Sequence, residues 1–194
     1  GVIDECGADD IAAAAQPGDF VVSRKNAPLV RLCLAVLREG KRANIEGRDL
    51  GRGLVALVKR LRSDTMERFL ERLAAWERSE GALARAQGKE AKEAEIADRA
   101  EVVRYLAAGL TGTAEVEARI ASLFTEGDDP ARKVTCSSVH RIKGLEADRV
   151  FVLRDTLYPR GGKGDAAARR AASPEEEQNI EYVAVTRARA RLTW

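Results

Sequence analysis

The sequence predicts an α/β fold, a mostly parallel sheet carrying a helical insertion, and three observations support it. Short apolar runs bounded by turn residues alternate with helical periodicity near both ends of the chain. An early strand–helix–strand succession has the compactness of a βαβ unit. Between Leu54 and Phe124 proline is absent and apolar residues recur at helical spacing.

Residues 1–19 are acidic and Ala-rich, close on Pro17-Gly18-Asp19, and are expected to be mostly irregular. Phe20-Val21-Val22-Ser23-Arg24 reads as a short buried strand. Asn26 and Pro28 mark a helix start, and Leu29, Leu32, Cys33, Val36 and Leu37 give that helix one apolar face up to Glu39-Gly40. A short strand follows near Ala43–Ile45. In the insertion, Met66, Phe69, Leu70, Leu73 and Ala74 form one stripe; Ile96, Ala100, Val103 and Ala107 form another. Gln87-Gly88 marks the bend between them, and Thr113 is expected to cap a third helix with Val116, Ile120 and Leu123. Strands are expected again near residues 134–139, 149–153 and 191–194. Residues 159–173 read as a Gly-, Arg- and Ala-rich loop, and Ser173-Pro174-Glu175-Glu176 starts a helix running to about Arg187. The sheet domain is thus expected over residues 1–53 and 131–194, with the helical subdomain over 54–130.

Composition narrows the function classes. Lys and Arg number 33 against 31 Asp and Glu, so a nucleic-acid surface would be a local patch and not a global field. Three cysteines without a CxxC pair, and a single His, argue against zinc. Free thiols suit a reducing cytoplasm. No apolar run has membrane-spanning length, and no signal-peptide pattern opens the chain. The chain starts without Met and ends at Trp194 inside a strand-like run, as expected of a piece of a longer protein.

Three segments carry chemistry. The first is Val22-Ser23-Arg24-Lys25-Asn26-Ala27-Pro28-Leu29. The second runs from Ser137 through Ser138-Val139-His140-Arg141-Ile142-Lys143-Gly144-Leu145-Glu146 to Asp148. The third runs from Glu176 through Tyr182-Val183-Ala184-Val185-Thr186-Arg187-Ala188 to Arg189. Each puts cations at the end of a short strand or on the adjoining helix. Ligand sites of open parallel sheets lie at strand C-terminal ends, and clustered cations suit phosphate. Taken singly, Arg24, Lys143 and Arg187 are better explained as surface charges, and a lone His such as His140 is often a structural donor.

Together, and in this order, the segments resemble motifs IV, V and VI of the UvrD/Rep-like superfamily 1 DNA helicases. The resemblance covers roughly residues 20–60 and 133–194. It implies a RecA-like second motor domain, with the helical stretch in the place of the family's accessory insertion. Arg187 and Arg24 would be arginines that reach the γ-phosphate of ATP; fixed guanidinium groups stabilise the charge that phosphoryl transfer spreads over its oxygens. Glu146 would accept from the ribose hydroxyls, and Gly144 would admit the nucleotide to the backbone. Ser138, His140, Arg141 and Lys143 would face single-stranded DNA. Mg2+ would be held by an N-terminal RecA-like domain of the same protein. The two domains would grip the strand alternately, moving 3′ to 5′, with DNA repair as a setting. Ser23 departs from the family, which often has an aromatic residue there to stack on adenine; Ser138 replaces a Thr; Gln178 and Asn179 replace basic residues.

No G-x-x-x-x-G-K-[ST] loop occurs in these 194 residues, and Val2-Ile3-Asp4-Glu5 resembles a Walker B end only weakly. The chain is expected to supply half an ATP site and to be inactive alone. Two alternatives stand beside this: a motor fused to a nuclease, and a catalytically silent module binding DNA or protein, for which the charged arm over residues 63–109 is the docking candidate.

Overall fold

The computed structural model describes residues 2–4, 8–125, 129–139, 141–142, 146–153, 182 and 186–193. Their order is β1 (Val2–Asp4), α1 (Ala8–Ala14), β2 (Phe20–Ser23), α2 (Asn26–Arg38), β3 (Ala43–Ile45), α3 (Arg48–Arg60), α4 (Met66–Ala86), α5 (Glu90–Ala107), α6 (Thr113–Leu123), a 3-10 turn (Pro130–Arg132), β4 (Val134–Ser138), β5 (Ala147–Val152) and β6 (Ala188–Thr193). Among the described residues the strands form one six-stranded sheet, ordered β1-β6-β5-β2-β4-β3, and every pair is parallel. This is the expected α/β class, consistent with a RecA-like domain.

The central strands are buried along their length, as a sheet covered on both faces requires. Side-chain alternation sorts them between two cores. Val21, Cys136 and Phe151 join the larger core with α1, α2 and the helices of the insertion. Phe20, Val22, Val150, Val152 and Leu192 point to the other side. Cys33 and Cys136 are buried and free; Cys6 lies outside the described residues.

The first segment departs from expectation. In place of irregular chain, Val2–Asp4 is an edge strand paired with β6, Val2 opposite Arg191. Its partner lies at the far end of the sequence, so no local pattern announces it. Ala8–Ala14 is a short helix that buries Ile11 and Ala12.

Four helices, α3 to α6, separate β3 from β4. The first begins earlier than Leu54, at Arg48. Gly88, at φ +67, makes the bend between α4 and α5. The expected stripes are observed in part: Phe69, Leu73, Ile96, Ala100 and Val103 are buried, whereas Leu70 is 38% exposed. Leu37 on α2 is likewise 37% exposed. Phe69, Leu73, Val103, Leu106 and Ile120 share one continuous core with Val21, Ile45 and Cys136 of the sheet. The helix expected over 173–187 and the loop over 159–173 lie outside the described residues, except for Tyr182, Thr186 and Arg187.

Candidate functional site at the two ends of the sheet

β2 and β4 are neighbours, with Ser23 opposite Ser138. The chain leaving β2 crosses past β4 to β3, and the chain leaving β4 crosses past β2 to β5. The two connections depart in opposite directions, so their C-terminal ends form a topological switch point, where open α/β sheets leave a crevice. A cleft of about 350 Å3 lies there. Arg24, Ser138 and Arg141 line it from the sheet side; Asp49 on α3 and Glu95, Asp98 and Arg99 on α5 line it from the insertion.

Local geometry builds each position. Ser23 is fully buried and its Oγ accepts from the Lys25 amide at 3.1 Å, so it presents no face for a stacked base. Half-buried Arg24 follows directly. At the end of β4 the Ser138 carbonyl accepts from the amides of Arg141 (2.9 Å) and Ile142 (3.2 Å), turning the chain helically. The Arg141 side chain then lies across Gly47, whose φ is +137. A Cβ there would meet Arg141 Nη1 at 3.0 Å, so glycine serves both the backbone angle and the close approach. Asp49 stays anionic: hydrogen bonding to Arg52, then its charge, holds the carboxyl below its ordinary range, with Arg141 and Arg48 adding. Glu95 pairs with Arg99 and Lys92, each at 2.9 Å. Arginines and carboxylates therefore both line the cleft.

A second group sits at the opposite, N-terminal ends of the strands. Exposed Glu146 precedes β5, and half-buried Arg187 precedes β6. The two are adjacent: the Ala147 amide donates to the Arg187 carbonyl at 3.1 Å, and Ala147 pairs with Ala188. Arg187 Nη2 donates to Thr186 Oγ1 at 3.0 Å, and Arg189 Nε reaches Glu146 Oε2 at 3.2 Å. A guanidinium and a carboxylate thus stand together near the surface.

The register measures the gap between the groups. Leu153 donates to the Val22 carbonyl, level with the end of β2. Glu146 lies seven residues before Leu153, roughly 20 Å at about 3.3 Å per residue. The two groups therefore stand at opposite ends of the strands. The structure therefore brings Arg24 together with Ser138 and Arg141, and brings Arg187 together with Glu146. His140, Lys143 and Gly144 lie outside the described residues. Asp98 and Gly47 are the positions that sequence reasoning missed. Gly47 follows a strand and opens a helix, which is a signal of a sort; Asp98 has none in its local sequence.

Among the described residues no group of three or more His, Cys, Asp or Glu could hold a metal ion, and no helix is long and apolar enough to cross a membrane. Curated proteins give no match to the chain. Comparison with protein families matches residues 117–194 to the UvrD-like helicase C-terminal domain. The match spans most of α6 and strands β4, β5 and β6, and leaves Arg24 and Asp98 outside it. Residues 117–194, which carry Ser138 and Arg141 at one end of the sheet and Glu146 with Arg187 at the other, match the UvrD-like helicase C-terminal domain family.

Proposed function

We propose that the chain is the second motor domain of an ATP-dependent DNA helicase or translocase, supplying one wall of an ATP site and a single-strand contact surface. The observation that carries this is the family match over 117–194 on an all-parallel sheet. The motor layer is residues 1–53 and 131–194, and residues 54–130 are its helical accessory part. Glu146 and Arg187 form the nucleotide wall, with Gly144 beside them in sequence. The exposed Glu146 carboxylate accepts from ribose hydroxyls when it exchanges its Arg189 partner. Arg187 offers a fixed guanidinium to the γ-phosphate, whose transfer develops charge that such a group stabilises. The phosphate-binding loop and the Mg2+ carboxylates belong to an N-terminal RecA-like domain of the same protein.

Ser138, His140, Arg141 and Lys143 form the strand surface. Arg24 is grouped with them because it shares a cleft with Ser138 and Arg141 and stands roughly 20 Å along the strands from the Glu146 level. We propose that it contacts a DNA phosphate in place of the γ-phosphate. Translocation runs 3′ to 5′. The test is binding of the chain to oligothymidylate over a salt series, with ATP turnover assayed in parallel. The expected result is salt-sensitive binding without turnover. ATP hydrolysis by the chain alone, lost in Arg187→Ala, contradicts the half-site reading.

A further inference from the structure

The first turn of α2 needs acceptors for its free amides. Lys25 holds the N-cap position and provides no side-chain acceptor. The acceptors come from α5, 72 residues away in sequence: Asp98 Oδ2 accepts from the Asn26 amide at 3.1 Å and from Asn26 Nδ2 at 2.8 Å. Asp98 Oδ1 accepts from the Ala27 amide at 2.9 Å. A half-buried carboxylate in this position also complements the helix dipole.

We infer that Asp98 is a positioning residue through which the helical insertion sets Arg24, so that single-strand affinity depends on the insertion. This rests on the strand-side reading of Arg24 given above. The Ser23 Oγ to Lys25 amide bond spans Arg24, and the Asn26 and Ala27 amides that Asp98 fixes follow directly after it. Asp98 and Arg24 also line the same cleft. A free helix N-terminus beside a strand cleft would itself receive a phosphate. Here the carboxylate fills it, so an incoming DNA phosphate must be met by side chains, Arg24 and Arg141, instead of by amides. Without Asp98 the turn samples other conformations, and the fraction of molecules with Arg24 in place falls. Because α5 continues through Gly88 into α4, a partner or strand that tilts the hairpin moves the cap with it.

The test is a double-mutant cycle on the chain, read as affinity for fluorescein-labelled oligothymidylate. Asp98→Ala is expected to weaken binding about three- to tenfold, the size of losing a helix cap. Asp98→Asn keeps one carbonyl acceptor and is expected to lose less; it carries the test if the alanine variant does not fold. In an Arg24→Ala background, Asp98→Ala is expected to cost nothing further. Equal losses in both backgrounds, or no loss in either, overturn the inference, the first by showing general damage. Failure of the unmutated chain to bind is a different result: it overturns the strand-side reading itself and the inference with it.

Discussion

Arg141 is exposed, yet its guanidinium has a defined seat across Gly47 at the mouth of the cleft. A cation held in place meets a phosphate without first losing rotamer freedom. Arg141→Ala is therefore expected to weaken single-strand binding to all base sequences alike, and to reduce the salt slope by about 1. Affinity measured on several oligonucleotides across a salt series checks this; a loss confined to one base composition contradicts it. A second prediction at this scale concerns Glu115. It accepts from the Thr111 amide at 2.8 Å and the Gly112 amide at 3.2 Å, and these bonds, Thr111 first, hold its carboxyl below the ordinary glutamate range. The folded value lies below the unfolded one, so the stabilisation is present above the unfolded value and lost as pH falls through the folded one. Urea midpoints of the wild type and Glu115→Gln should differ at neutral pH and converge in acid. A gap that widens in acid contradicts the assignment.

Helix packing makes sharper demands than helix propensity. Gly51 on α3 faces α6, and a Cβ there would stand 2.6 Å from Phe124 Cβ, an atom at the root of its side chain and not free to swing aside. Gly51→Ala is expected to destabilise by about 1–3 kcal/mol through overpacking. Two residues on, Gly53 meets nothing within 4 Å, so Gly53→Ala should stabilise by about 0.5–1 kcal/mol. Chemical denaturation of the pair checks both signs. The insertion as a whole is bound to the sheet in the same way. Its arm over residues 63–109 invites deletion as a separable accessory, but that deletion removes buried Phe69, Leu73 and Val103 from the shared core and Asp98 from the α2 cap. The expected outcome is loss of cooperative folding; a deletion variant that keeps its melting transition and its strand affinity contradicts it. Much of this architecture was legible in sequence. The buried strands Phe20–Ser23 and Val134–Ser138, the buried positions of α5 and α6, and the Gly88 bend all carry local signals. The pairing of β1 with β6 and the Asp98 cap do not, because each joins residues far apart in the chain.

At the scale of the molecule, parallel strands separate what the motifs seem to unite. Residues in one short motif, Ser138 and Glu146, end on opposite ends of the sheet, because the chain between them crosses from the end of β4 to the start of β5. Spacing along the sequence reveals both residues but not the crossover, and that is why Arg24 and Arg187 read as partners there. The proposed motor function uses both ends: one faces a nucleotide held by a neighbouring domain, the other holds a strand. We propose that the two ends are coupled. The most direct test is ATP hydrolysis by the full-length protein, with and without single-stranded DNA, beside its Arg187→Ala variant. Turnover is expected to be stimulated by single strands and lowered about a thousandfold or more in the variant, with ATP binding kept. Absence of stimulation in the intact protein, or unchanged turnover in the variant, contradicts this coupling.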